Sequence, residues 1–167
     1  MLLIYTGSGK GKTCACVGQA LRAHGRGISV AFLQFMKRPD QAGEQRILSG
    51  LLGERFLAGG KGFFRNQDDR EQHRHAALLV LRRAEELLDS VGMLVLDESL
   101  YALGSGLLTE EELRSLIQKT RESAMHLVLS GRGLPEWLVG EADLITEMQE
   151  RKHPFSMGGT AEIGIEY

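Results

Sequence analysis

Hydrophobic positions in this chain fall into two kinds of block that alternate along its length. Compact apolar runs at residues 2–5, 28–35, 93–96, 127–129 and 144–148 have the length and composition of buried strands. Between them, apolar side chains recur every three or four residues. Residues 12–24 carry Val17, Ala20, Leu21 and Ala23 at helical spacing, with Gly25 as the expected C-cap. Residues 68–90 set Ala76, Leu79, Val80, Ala84, Leu87 and Leu88 on one stripe, which predicts a long helix. Thr109 and Glu112 have the spacing of a capping box, and the helix it opens carries Leu113, Leu116 and Ile117. Pro135 opens a short helix. The glycine-dense stretch 36–67 reads as one long irregular loop, a kind often functional, and residues 162–167 as a last edge strand.

This alternation predicts an α/β architecture, a P-loop NTPase-like fold with a mostly parallel central sheet and helices on both faces. A length of 167 residues fits a single domain, 1–167, with enough core to fold without disulfides or structural metals. Apolar residues make up 43% and charged residues 25%, both ordinary, so composition alone adds little. Glycine does add something. There are 21, about an eighth of the chain, and many fall where a loop must turn tightly or approach a ligand.

The strongest chemical signal is Thr6-Gly7-Ser8-Gly9-Lys10-Gly11-Lys12-Thr13, a glycine loop between a predicted strand and a predicted helix. A phosphate chain needs converging backbone N–H groups, a helix N-terminus behind them and a cation on the outer oxygens. Gly7, Gly9 and Gly11 supply the wrap, Lys12 the cation, and Thr13 a hydroxyl that can hold Mg²⁺. Thr6 stands where the strict P-loop pattern has glycine, so the match is to a variant.

Asp97-Glu98 follows the apolar run 93–96 in the manner of a Walker B segment. Strand C-termini of a parallel sheet share one edge, so the pair is expected beside the glycine loop. One carboxylate there can hold Mg²⁺, and the other can orient a reactant or act as a base. Arg132, between Gly131 and Gly133, is expected on the same edge, aimed at a phosphate or carboxylate or else exposed in a turn. His153 before Pro154 reads as a turn residue.

A net charge of −2 gives no bulk electrostatic reason to expect nucleic acid or an anionic membrane as partner. Cys14 and Cys16, two residues apart on a predicted helix, point to different faces and are expected to stay reduced thiols. The opening residues run straight into the glycine loop without a secretory pattern, and no apolar run reaches the roughly 20 residues that span a bilayer. A cytoplasmic protein is expected.

Taken together, the motifs resemble the ATP:corrinoid adenosyltransferases of cobalamin biosynthesis and salvage. The matching stretches run in order along the chain: residues 4–13 (IYTGSGKGKT), 20–25 (ALRAHG), 34–37 (QFMK), 43–44 (GE), 62–63 (GF), 95–98 (VLDE), 131–133 (GRG), 142–148 (ADLITEM) and 152–155 (KHPF). The resemblance implies a transferase in which a reduced Co(I) corrinoid attacks the 5′-carbon of ATP and the triphosphate leaves whole. It implies Lys12 and Glu98 as catalytic residues and nucleotide contacts from Thr6 to Cys14, with Arg22 and Arg132. A metal site for Mg²⁺ (or Mn²⁺) at Thr13, Asp97 and Glu98, and Phe63 against the corrinoid, follow from it as well. So do a homodimer and a flavoprotein reductant. Three departures stand out: Cys14 replaces a second Thr, Phe64-Arg65 replace a polar residue and Trp, and Thr160 and Ile163 stand where basic residues are usual. A phosphoryl-transferring P-loop ATPase or kinase, or a non-catalytic module that binds ATP and corrinoid, are the alternatives the residues leave open.

Overall fold

The structure, a computed structural model, describes residues 1–62 and 69–166. Six strands form one sheet: β1 (Leu2–Thr6), β2 (Val30–Gln34), β3 (Phe56–Ala58), β4 (Met93–Asp97), β5 (His126–Ser130) and β6 (Leu144–Glu147). Their order is β3-β2-β4-β5-β1-β6 and every pairing is parallel. The helices are α1 (Lys12–Gly25), α2 (Gly43–Leu52), α3 (Arg70–Glu86), α4 (Ser99–Gly104), α5 (Glu110–Glu122) and α6 (Glu136–Val139).

Successive side chains of a strand point to opposite faces, and the two cores separate along that alternation. Leu2, Ile4, Ala31, Leu33, Leu94, Leu96, Leu127 and Leu129 meet buried residues of α3, α4 and α5 on one face. Leu3, Val30, Phe32, Met93, Val95 and Val128 meet Cys16, Ala20 and Ala23 of α1 and Leu48 and Leu52 of α2 on the other. Both faces of β1, β2, β4 and β5 are covered, which is why these strands are largely apolar rather than alternating, whereas the edge strand β6 is exposed along its length.

The helical stripes are shifted from the sequence expectation. Leu21 is 44% exposed on α1 and Leu79 is 48% exposed on α3, while Cys16 and Ala77 take buried places instead. The Thr109 capping box stands as expected: its hydroxyl accepts from Glu112 N–H at 3.2 Å, and Glu112 accepts from Thr109 N–H at 2.8 Å.

Two expectations are corrected. The stretch 36–67 is not one irregular loop, for it contains α2, a short 3-10 turn at Gly53–Arg55 and β3. The α2 N-terminus is held by Gln45, whose side-chain oxygen accepts from the N–H groups of Gln41 (2.9 Å) and Ala42 (3.3 Å). The edge strand expected at 162–167 is absent among the described residues. Gly164 turns at φ 78°, and both Ile165 N–H and Glu166 N–H bond back to the Glu162 carbonyl, so the chain curls there.

Candidate active site at the glycine loop

β1 ends at buried Thr6, and the loop that follows is wedged against the end of β6. Met148 N–H donates to the Thr6 carbonyl at 2.8 Å, and Gly9 N–H donates to the Met148 carbonyl at 2.7 Å. A Cβ on Gly7 would lie 2.3 Å from the Met148 oxygen, and one on Gly9 would lie 2.9 Å from that same oxygen. Two of the three glycines credited with wrapping a phosphate are thus demanded first by the neighbouring strand. The Gly9 amide is also taken, so it is not among the N–H groups that the loop and the first turn of α1 can offer a phosphate.

Lys12 begins α1 and is only 7% exposed. Its ammonium donates to the Gly9 carbonyl at 2.7 Å and the Gly7 carbonyl at 3.0 Å. Burial pushes its pKa down and the Arg132 charge adds to that push, against the pull of Glu98 and Asp97.

Asp97 is the centre of the polar cluster. It is fully buried at the end of β4 and is reached by four side chains. Ser130 of β5 donates at 2.7 Å, Gln34 of β2 at 3.0 Å, and Thr13 of α1 at 3.1 Å to each carboxylate oxygen. Lys37 lies 3.7 Å from Oδ2 and also bonds Glu44 at 2.6 Å. β4 does not adjoin β1, since β5 lies between them. The acidic pair meets the glycine loop all the same, because Thr13 spans that gap. Burial would lower the Lys37 pKa, but the carboxylates of Asp97 and Glu44 outweigh it and hold it above its ordinary value.

Glu98 takes the left-handed backbone at φ 61°, and its N–H donates to Ser130 Oγ at 3.0 Å. Burial raises its pKa and the Asp97 charge raises it further, although Lys12, Lys37 and Arg132 pull the other way. Gly131, at φ 138°, lets β5 leave past α4; a Cβ there would meet Tyr101 N at 2.7 Å.

These elements border a cleft of about 500 Å³ lined by Ser8, Gly9, Lys10, Lys12, Glu98 and Arg132, together with Tyr101, Glu150, His153 and Glu166. The structure therefore gathers most of the expected site residues. Gly11 caps α1 at φ 115° behind the loop, and Cys14 is an exposed free thiol on the first turn. Arg22 is exposed near the far end of α1, roughly 15 Å along the helix axis from Lys12, and is not a cleft residue. Phe63, with Phe64 and Arg65, lies outside the described residues.

Sequence reasoning missed Gln34, Lys37, Glu44 and Ser130 as parts of the cluster. Three of the four lie at or just past a predicted strand end, and that position was the available signal. His153, expected in a turn, does accept from Ser156 N–H through its carbonyl, yet its ring also faces the cleft, with Nε2 3.7 Å from Glu166.

The oxygens of Thr13 and Asp97 suit a hard divalent cation. An octahedral Mg²⁺ site with ligands near 2.1 Å sets neighbouring oxygens about 3.0 Å apart, close to the 3.1 Å seen between Thr13 and Asp97. Among the described residues no cluster of three or more His, Cys, Asp or Glu side chains stands ready to hold a metal alone, so the remaining ligands would be phosphate oxygens and water.

A strand running into a glycine loop, a buried lysine on the loop carbonyls and an acidic strand end bonded to the following Thr define a P-loop NTPase-like protein of the α/β class. A KaiC-like protein from the archaeon Pyrococcus horikoshii OT3 shares this fold, with a TM-score of 0.53, 16% identity, and coverage of 90% of this chain and 74% of that one. Residues 1–167 match the family described as ATP:corrinoid adenosyltransferase BtuR/CobO/CobP, and the chain belongs to that family of transferases. It is 34% identical over 170 residues to a corrinoid adenosyltransferase of Pseudomonas aeruginosa, covering 100% of this chain and 83% of the relative. The corrinoid adenosyltransferase of Escherichia coli K12 is 33% identical over 169 residues, covering 100% and 85%.

Proposed function

We propose that this protein transfers the 5′-deoxyadenosyl group of ATP to the Co(I) centre of a reduced corrinoid, as one adenosyltransferase domain spanning residues 1–167. The cobalt electron pair becomes the Co–C5′ bond while the C5′–O bond breaks, and the triphosphate leaves with the electron pair of that broken bond. No protein nucleophile is required. What the protein must do is hold a highly charged leaving group and point the 5′-carbon at the corrinoid.

The observation that carries this reading is the cleft in which buried Lys12 meets Lys10 and Arg132 over the first turn of α1. Three cations and a helix N-terminus match a triphosphate, and Lys12 exchanges its Gly7 and Gly9 carbonyls for phosphate oxygens. Thr13 and Asp97 would hold Mg²⁺ (or Mn²⁺), which when bound neutralises charge on the departing triphosphate. Glu98, a half-buried carboxyl inside the cleft, is placed to bond a ribose hydroxyl and orient the sugar. Phe63 keeps the role against the corrinoid that the family resemblance gives it.

The finer features of the reading are a cytoplasmic enzyme, a homodimer and a flavoprotein electron donor. No described helix is long and apolar enough to cross a membrane. The deciding experiment incubates the protein with ATP, Mg²⁺ and chemically reduced cobalamin. The cobalt–carbon product is followed by its absorption spectrum and the phosphate product is identified. Tripolyphosphate with alkylated cobalt is expected, whereas ADP and orthophosphate without it would replace this reading with phosphoryl transfer.

A further inference from the structure

We propose that Lys37 is a built-in cation that stands beside the divalent-metal position and neutralises its carboxylates in the nucleotide-free protein, so that metal enters only together with the triphosphate. The inference rests on the reading of Thr13 and Asp97 as the metal-holding pair. Lys37 follows β2, and its ammonium touches oxygens from three separate elements. It lies 2.6 Å from Glu44 Oε1 on α2, 3.3 Å from Thr13 Oγ1 on α1 and 3.7 Å from Asp97 Oδ2 on β4. Any point about 2.1 Å from both Thr13 Oγ1 and Asp97 Oδ2 lies within roughly 5 Å of that nitrogen. A divalent ion and the ammonium would crowd one polar pocket whose central carboxylate is fully buried.

The lysine is held in place from both ends. Gly60 packs against its backbone so closely that a Cβ there would lie 2.2 Å from the Phe35 oxygen and 2.6 Å from Lys37 N. Gly60 N–H bonds the Lys37 carbonyl at 3.0 Å, and Gly62 N–H bonds the Met36 carbonyl at 2.8 Å. Glu44, which takes the ammonium, is itself held by Gln34 Nε2 at 3.2 Å. Lys37 is thus a fixed part of the cluster rather than a surface side chain that happens to fold back.

The charges set the coupling. Asp97, Glu44 and Glu98 bring three negative charges, and Lys37, Lys12 and Arg132 three positive, so a lone divalent ion would leave the site with excess positive charge. A triphosphate reverses that balance. It supplies ligands for the metal and anionic oxygens for the ammonium at once, so nucleotide removes the obstacle to metal binding.

The test is Mn²⁺ binding followed by electron paramagnetic resonance, with and without a non-hydrolysable ATP analogue. Wild type without nucleotide is expected to bind Mn²⁺ at least tenfold more weakly than Lys37→Met, while Lys37→Arg, which keeps the charge, stays like wild type. With the analogue present, the difference between wild type and Lys37→Met should shrink to a few-fold. Equal nucleotide-free affinities for wild type and Lys37→Met would overturn the proposal, as would absence of Mn²⁺ binding in every state. A crystal of the wild-type protein soaked with Mn²⁺ needs no variant to fold. An anomalous peak between Thr13 and Asp97 with Lys37 still on Glu44 would also overturn it, and no peak there supports it. Adenosyl transfer is scored separately with Mg²⁺ and ATP, so failure of the catalytic reading leaves the Mn²⁺ result to stand or fall alone.

Discussion

The Thr13 hydroxyl sits 3.1 Å from both carboxylate oxygens of Asp97, across 84 residues of sequence and an intervening strand. The other side chains that reach that carboxylate are donors too: Ser130 on one oxygen, Gln34 and the more distant Lys37 on the other. Asp97→Asn therefore aims an amide N–H₂ at a donor. Ser130 can turn its hydroxyl, but the mutant still loses the charge that the cluster is built around. A cost of about 1–3 kcal/mol in urea unfolding is expected, together with loss of the Mg²⁺-dependent part of ATP binding in calorimetry. A mutant as stable as wild type that binds Mg·ATP equally well would remove Asp97 from both roles.

Gly7 and Gly50 make opposite predictions from the same residue type. Gly7 has φ 105° and backbone 2.3 Å from any added Cβ, so Gly7→Ala must push the glycine loop away from Met148. A loss of at least about 2 kcal/mol and weakened ATP binding are expected. Gly50 lies within α2 with nothing inside 4 Å, so Gly50→Ala should gain roughly 0.5–1 kcal/mol and leave activity alone. Chemical denaturation of the pair reads both signs. Destabilisation by Gly50→Ala, or tolerance at Gly7, would contradict the packing described here.

How much of this was legible in the sequence depends on range. The glycine loop, the acidic strand end and the Thr109 cap are local patterns, and each stands where its spacing put it. What escaped is non-local or masked. The Leu48–Leu52 spacing of α2 was readable, but Gly43, Gly50 and Gly53 hid it by looking like loop. Lys37 and Glu44 join the site only because α2 folds beside β2, a packing that no spacing within residues 36–67 announces. Ser130 was quoted for the glycines after it, while its own hydroxyl bonds Asp97. Leu21 and Leu79 misled because apolarity alone does not say which of two adjacent residues faces a sheet.

Glu98 ties pH to stability. Its pKa is raised, first by burial and then by Asp97, so the folded chain holds that proton more tightly than the unfolded chain does. The contribution of Glu98 to stability is therefore greatest below the ordinary glutamate value and declines as pH climbs from there through the raised one. Glu98→Gln removes the buried charge. Its melting temperature is expected to exceed that of wild type by about 2–4 °C at neutral pH, with the gap closing as pH falls below the ordinary range. A gap independent of pH would assign the effect to packing. Turnover should drop at the same time, since the amide cannot act as a carboxylate toward the sugar.

Lys12 separates binding from folding most sharply. Its side chain is largely covered, its ammonium rests on two loop carbonyls at the edge of the cleft, and partial burial pushes its pKa down. A depressed lysine pKa means that the folded chain binds this proton less well than the unfolded chain does. At neutral pH the charge therefore works against folding and is kept for a ligand. Lys12→Met retains the stem and removes the charge, leaving carbonyls that border the open cleft and can take water. The variant should unfold at the same or higher urea than wild type, while its Kd for ATP rises at least about a hundredfold, near 3 kcal/mol. Lys12→Arg, whose planar fork cannot place a single point charge between the Gly7 and Gly9 carbonyls, should not restore binding. If Lys12→Met lost stability together with affinity, the lysine would be a strut of the glycine loop. Unchanged ATP affinity would instead show that the phosphates bind elsewhere.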